Sequence, residues 1–244
     1  MSKTPLIIIP ARFASKRLPG KPLEKIGNKT LIEHAIRSAW QAKGAERRIL
    51  VATDNEQIAG TVDIIGNKRP IPRGKLVHWR MTDEDLETGT DRCAQAIENS
   101  MGWDDCPDWV INVQGDMPFG TAPFIDRVIA ATQAEPQYDM ITPACLFETV
   151  EWEDDGDGFK RTLLMQHVGI YAYRKEALKE FYEARDKPEI RETETKHSLE
   201  QNRAVEIGLS IKILYVHDML PPLEVNTPAD LKRLQEIANA GISN

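Results

Sequence analysis

Residues 6–23 read LIIIPARFASKRLPGKPL. Leu6 to Ile9 form a short, uncharged apolar run stopped by Pro10, the pattern of a buried strand that delivers the chain into a loop. The loop carries Arg12, Arg17 and Lys21 within ten residues, interleaved with the small or turn-forming Ala11, Ala14, Ser15, Pro19 and Gly20. Long cationic side chains and backbone N–H groups can converge there on one polyanion, for which a triphosphate is the obvious candidate. A basic loop is most often simply solvated. Position favours a site here, because open α/β sheets bind ligands at loops leaving the carboxyl ends of their strands. Neither GxxxxGK[ST] nor GxGxxG occurs in the chain, so something other than glycine amides must hold the phosphates.

The rest of the composition narrows the setting. At 244 residues and 41% hydrophobic content the chain can bury a real core, and one α/β domain over residues 1–244 is the simplest expectation. A net charge of −7 argues against a general nucleic-acid partner or an anionic membrane surface, and suits a small anionic ligand. Cys93, Cys106 and Cys145 are odd in number and lack CxxC spacing, which excludes a disulfide framework or thiolate metal site and predicts a reducing, cytoplasmic compartment. No apolar run approaches membrane-spanning length, and the N-terminus lacks the apolar core of a secretory signal.

Outward from the loop, the chain alternates between strand and helix patterns. Thr30-Leu31-Ile32-Glu33 is a capping box opening a helix to about Lys43, Arg48 to Thr53 a strand ending at Asp54, and Gln57 to Ile65 a second helix. Asn67 to Lys75 is a Pro/Gly/basic loop, Leu76 to Trp79 a short strand, and Thr88 to Ser100 a helix. Further on come a strand at Trp109 to Val113, a helix at Ala122 to Gln133, and strands at Asp139 to Leu146 and His167 to Tyr173. Arg174 opens a helix to about Arg185, and Asp186 to Lys196 is a polar loop. Ser198-Leu199-Glu200-Gln201 caps a helix ending at Gly208, a role that accounts for Gln201 without any ligand. Leu209 to Val216 is a strand, and Thr227-Pro228 starts a last helix to about Ala240. This rhythm predicts a mostly parallel sheet with helices on both faces.

Two acidic features need weighing. The strand Trp109 to Val113 is followed at once by Gln114-Gly115-Asp116, where a carboxylate across the crevice from a cationic loop suits a nucleotide-bound metal; alone Asp116 is an ordinary turn aspartate. The run Glu148 to Gly158, ETVEWEDDGDG, suggests calcium, but an EF-hand register puts Leu164 where the closing glutamate must be, so a solvated hairpin or flexible loop is expected.

At Pro10 to Leu23 the sequence resembles the CMP-sugar acid synthetase family, above all the 3-deoxy-manno-octulosonate (Kdo) cytidylyltransferases, whose loop reads close to PARxxSxRLPGKPL. The resemblance continues in order through MTDEDLETGTDR (81–92), VINVQGDMP (110–118), HVGIYAYR (167–174), LEQNRAVEIGLSIKI (199–213) and LEVNTPADLKRL (223–234). It implies a Rossmann-like nucleotidyltransferase fold and the reaction of CTP with a sugar acid to give CMP-sugar and pyrophosphate. By the same resemblance Arg12, Arg17 and Lys21 hold the triphosphate, with Ala11 and Ser15 of the loop beside them, and Gln114 sits with Thr88-Gly89 at the cytidine. Asp116 and Asn226 bind Mg²⁺, while His167, Tyr171, Glu200 and Gln201 contact the sugar; a homodimer is also implied. Read without the family, His167 and Tyr171 are equally alternate residues of a packed strand.

The chain departs from the family pattern in places. Asn226 stands where many members carry Asp, with Glu224 as a possible substitute; Met117 replaces an acid and Leu86 a common His. The segment between Ala144 and His167 is shorter than typical. Alternatives therefore remain: a nucleotidyltransferase for another acidic sugar, or a non-catalytic paralogue that binds CTP or a CMP-sugar.

Overall fold

The computed structural model describes residues 4–15, 17–44, 48–67, 76–153, 158–188, 190 and 200–240, with backbone only for 147–153 and 158–163. The chain runs β1 (Leu6–Ala11), a 3-10 turn (Lys21–Leu23), the ribbon β2 (Lys25–Ile26) and β3 (Lys29–Thr30), α1 (Leu31–Gln41), β4 (Arg48–Thr53), α2 (Glu56–Asn67) and β5 (Leu76–Met81). It continues through α3 (Gly89–Glu98), α4 (Gly102–Asp105), β6 (Trp109–Val113), α5 (Ala122–Ala134), β7 (Met140–Glu153), β8 (Gly158–His167) and β9 (Ile170–Arg174). Then follow α6 (Lys175–Glu183), α7 (Gln201–Glu206), β10 (Ile211–Val216) and α8 (Pro228–Asn239).

β1 explains itself from its sequence. Its apolar run is buried on both faces: Ile7 and Ile9 pack with Ile32 and Ile36 of α1, Ile58 of α2 and Phe124 of α5, whereas Leu6 and Ile8 pack with Cys93 and Ile97 of α3 and Phe181 of α6. Such continuous burial is what parallel sheets flanked by helices demand. The sheet order is β10-β7-β9-β6-β1-β4-β5, with β8 paired on β7. β1 pairs in parallel with β4 and β6, β4 with β5, and β7 with β10; β9 runs antiparallel between β6 and β7. The chain leaves β1 toward β4 and returns to its other side as β6, so the switch point lies at β1, with the loops after β1, β4 and β6 at its carboxyl end.

A smaller core ties the far end of the chain to this rim. Ile26 and Leu31 pack against Val225, Leu231 and Leu234, docking α8 and the segment before it beside the β1 loop. α8 starts in a complete capping box, Thr227 with Asp230, and Pro228 occupies its first turn.

The mixed, mostly parallel sheet and the helix positions follow the sequence reading, and three details differ. β5 reaches Met81 and β7 reaches Glu153, because each gains a partner strand: β4 extends β5 in register, and β7 pairs with β8 from Ala144↔His167 to Glu153↔Gly158. The acidic run is thus largely the end of a hairpin, its tip lying outside the described residues. The stretch His167 to Tyr173 is not one strand. His167 ends β8, and a tight turn, Ile170 N–H to Val168 C=O at 2.6 Å, redirects the chain into β9. Most of the Asn67–Lys75 loop and Ser198 of the expected capping box lie outside the described residues, and α7 begins at Gln201.

Candidate active site

The β1 loop folds on itself before it meets anything else. Phe13 C=O accepts from Ser15 N–H at 2.9 Å and Gly20 N–H at 3.0 Å, and Gly20 turns with φ 69°, a conformation open to glycine at little cost. Lys21 follows at the start of the 3-10 turn, so its Cα is fixed while its arm stays extendable. Asp54, the first residue past β4, holds the other side of the loop. Its Oδ1 accepts from Phe13 N–H at 2.9 Å, and its Oδ2 lies 3.2 Å from the buried Arg92 guanidinium.

Across the crevice, Lys21 Nζ donates to Asp116 Oδ2 at 2.8 Å and to Val225 C=O at 2.7 Å. Val225 N–H in turn donates to Asp116 C=O at 2.9 Å, so the segment before α8 is sewn to the loop after β6. Arg17 reaches Asn226 Oδ1 at 3.3 Å, and Asn226 Nδ2 donates to Glu224 at 3.1 Å. Burial first, and then the charge of Asp116, raises the Glu224 carboxyl above its usual range. Three chain segments remote in sequence thereby place two loop cations, two carboxylates and a neutral amide in one cluster.

A second group forms around the start of α3. Thr88 caps the helix through Asp91 N–H at 3.0 Å, and Gly89 packs against Pro10. Arg12 donates to Glu87 C=O at 3.2 Å, joining the β1 loop to this turn. Asp91 accepts Thr88 Oγ1–H at 2.7 Å and forms a two-pronged ion pair with Arg203, whose second contact is 3.1 Å; both side chains are almost wholly buried. Glu200 beside them is half-buried. Its carboxylate accepts from Thr90 Oγ1 at 2.9 Å, Thr90 N–H at 3.3 Å and Gln201 Nε2 at 3.0 Å, and burial raises its pKa.

The third group stands on β8 and β9. His167 and Tyr171 stack with ring centroids 5.2 Å apart, Tyr171 buried and His167 at the exposed end of β8, where partial desolvation draws its pKa down. Burial raises the Tyr171 phenol strongly, followed by the charges of Glu200, Tyr173, Asp116 and Glu224. Tyr171 therefore lies within electrostatic reach of both clusters. Gln114 sits at the same rim with its N–H on Gly169 C=O at 3.0 Å.

The sequence-derived candidates all fall at this end of the sheet except that Ala11 is buried in the end of β1, offering only backbone. Thr90, Asp91, Arg203, Asp54 and the Val225 carbonyl were absent from that set. Asp54 carried a usable signal, an acid directly after a strand, much as Asp116 follows β6 two residues further on. The others had none that named a partner, because Glu200 lies 110 residues from Thr90, Arg203 112 from Asp91 and Lys21 204 from the Val225 carbonyl.

Gly169 supports a specific expectation. A Cβ there would meet Gln114 Cγ at 3.2 Å and Cβ at 3.3 Å, closer than packed side chains sit without yielding. Gly169→Ala should therefore tilt Gln114, and if that residue bonds nucleotide, losing ~1 kcal/mol raises KM for the nucleotide about fivefold with kcat nearly unchanged. Steady-state kinetics on the two proteins checks this; an unaltered KM removes Gln114 from the nucleotide contacts.

Comparison with known proteins agrees with the geometry. Residues 6–155 match the family model described as Cytidylyltransferase. The chain is 36% identical to the 3-deoxy-manno-octulosonate cytidylyltransferase of Methylorubrum populi, over 96% of each chain. It is 33% identical to the enzyme of that name from Bdellovibrio bacteriovorus, over 96% of this chain and 97% of the relative. Its fold superposes, with a TM-score of 0.76 and 26% identity, on a CMP:2-keto-3-deoxy-manno-octonic acid synthetase solved in complex with CTP, covering 98% of this chain and all of the other. With the β1 loop, the Asp116 turn and the matched length in agreement, the chain belongs to the cytidylyltransferase family.

Proposed function

We propose that this protein transfers CMP from CTP to the anomeric hydroxyl of Kdo, releasing pyrophosphate, as a single nucleotidyltransferase domain over residues 1–244 that works in the cytoplasm. The observation that carries the reading is the meeting of Lys21 with Asp116 across the switch point, 2.8 Å apart. Relatives named as Kdo cytidylyltransferases over nearly the whole length support the substrate.

In this reading Arg12, Arg17 and Lys21 take the triphosphate with Ala11 and Ser15 of the loop beside them, and Gln114 sits with Thr88 and Gly89 at the cytidine. His167, Tyr171 and Gln201 face the sugar acid; Gln201 Oε1, buried without a hydrogen-bond partner among the described residues, is an acceptor for a sugar hydroxyl. Glu200 faces the sugar acid from the same wall, its carboxylate oriented by Thr90 and Gln201 and keeping acceptor capacity for a sugar hydroxyl. The anomeric oxygen attacks the α-phosphorus, its proton is lost, and the bond to the bridging oxygen breaks as pyrophosphate leaves. Charge builds on the departing oxygens, and Lys21 with the two arginines neutralises it where it develops.

The donor set at Asp116 suits Mg²⁺: carboxylate, Val225 carbonyl and Asn226 amide are hard oxygens, and an ammonium already sits between the first two. When bound, Mg²⁺ neutralises phosphate oxygens and orients them. A homodimer belongs to the same proposal; the exposed Leu164 and Met165 of β8 give it an apolar surface.

The test is pyrophosphate release with CTP, Mg²⁺ and Kdo against other nucleoside triphosphates and other 2-keto sugar acids. Release with CTP and Kdo above the rest is expected. Turnover only with another acid moves the specificity, and CTP binding without release on any acid identifies a non-catalytic binder.

A further inference from the structure

The contacts of Lys21 have a meaning beyond phosphate binding. Its ammonium lies between a carboxylate oxygen, Asp116 Oδ2 at 2.8 Å, and a main-chain carbonyl oxygen, Val225 at 2.7 Å. That is a cation among hard oxygens, the kind of donor that divalent cations also select. The cage is rigid on both sides. Val225 is fully buried among Ile26, Leu31, Leu231 and Leu234, and its N–H is anchored on Asp116 C=O at 2.9 Å. Asp116 sits in the turn three residues past the buried strand β6, its own C=O held by that Val225 N–H. Only the tenant is mobile in design: Lys21 has a fixed Cα at the start of a 3-10 turn and a four-carbon arm carrying the charge. Its side chain and that of Asp116 are 17% and 16% exposed, so the pair is largely shielded from competing water and salt. Glu224, bonded by Asn226 Nδ2 at 3.1 Å, brings a second carboxyl group to the same place.

We infer that Lys21 is a tethered cation that occupies a divalent-cation site formed by Asp116 and the Val225 carbonyl, and is exchanged out of that site when a nucleotide triphosphate arrives. The inference rests on the proposed reading of the β1 loop as the triphosphate site. An ammonium and a divalent ion drawn to the same carboxylate oxygen and carbonyl repel each other at that distance, so either cation disfavours the other there. The triphosphate supplies the competing anion that draws Lys21 away, and the ion then takes the vacated oxygens. Binding of the ion and of the nucleotide are therefore linked through one side chain, each favouring the other, and loading of the ion alone is suppressed.

The experiment measures binding without turnover. Mn²⁺ is titrated into nucleotide-free protein and the free ion read by electron paramagnetic resonance. Lys21→Met should bind Mn²⁺ at least tenfold more tightly than the native protein, Lys21→Gln should show the same gain, and Lys21→Met combined with Asp116→Asn should lose it. A second arm contains no metal: in EDTA, Asp116→Asn should bind CTP at least threefold more tightly by calorimetry, because Lys21 is released, and the gain should vanish when Lys21→Met is added. Thermal melting confirms that each variant is folded. Equal Mn²⁺ affinity in native and both Lys21 variants overturns the inference, as does a gain that survives Asp116→Asn or a CTP gain that survives Lys21→Met. Pyrophosphate release with Kdo alongside any of those outcomes rejects the exchange and keeps the proposed reaction; tenfold tighter Mn²⁺ with no release on any acid keeps the exchange and rejects the reaction.

Discussion

Lys21→Ala lowers kcat/KM for CMP transfer at least about 100-fold, the equivalent of removing ~3 kcal/mol of transition-state stabilisation. The reaction joins two anions, and the enzyme has little covalent chemistry to contribute, so its leverage is charge placed where pyrophosphate departs. Lys21 is suited to that task by its position. It projects from a turn braced by Phe13 and Gly20, and it lies over the carboxyl end of β6. Because the charge it meets is greatest in the transition state, kcat should fall with kcat/KM, while KM for CTP rises less. Asp116→Asn should produce a fall of similar size by removing the carboxylate of the cation site. Steady-state pyrophosphate release on both variants, with circular dichroism to show an intact fold, measures this. A loss under about tenfold in kcat would exclude Lys21 from the transition state.

Arg203→Ala should cost stability rather than chemistry, by about 3–5 kcal/mol, the range for removing one partner of a buried ion pair. Asp91 and Arg203 are 3% and 2% exposed at the side chain, and Arg203 also donates to Phe181 C=O at 3.1 Å and lies 4.2 Å over the Phe181 ring. Without the guanidinium the Asp91 carboxylate stays buried with the Thr88 hydroxyl and the start of α3 as compensation, too little for a full charge. Denaturant unfolding followed by tryptophan fluorescence gives the number. The same substitution loosens the Thr88-Gly89 turn, so folded protein should show a raised KM for CTP. A loss of stability below about 1 kcal/mol would mean that water reaches Asp91 and that the pair is not a structural anchor.

Much of this molecule was legible from its residues because the relevant chemistry is local. Leu6 to Ile9 can only be a strand buried on both faces, but Pro10 does not end it: the strand runs on to Ala11, with Pro10 opposite Ala52 and Ala11 opposite Thr53 of β4. Thr30, Thr88 and Thr227 each cap the helix that follows, through side-chain oxygens placed three residues from the N–H they accept. Asp116 comes in the turn just past β6, so its place at the crevice rim follows once the alternation of strands and helices is read. The HVGIYAY stretch misled as a single strand because apolar alternation continues through a turn; Gly169, pressed against Gln114, marks the break.

What the residues determined by themselves was the parallel α/β frame, its helix starts, and a cationic loop facing an acid at the end of the next central strand. What only the tertiary structure decided was which charges meet. Lys21 finds Asp116 at a separation of 95 residues and Val225 at 204, Thr90 finds Glu200 at 110, and Arg203 finds Asp91 at 112. Periodicity and capping are set by neighbours within a turn or a strand, whereas the partner of a buried charge is set by how the chain crosses itself, and no local pattern carries that information.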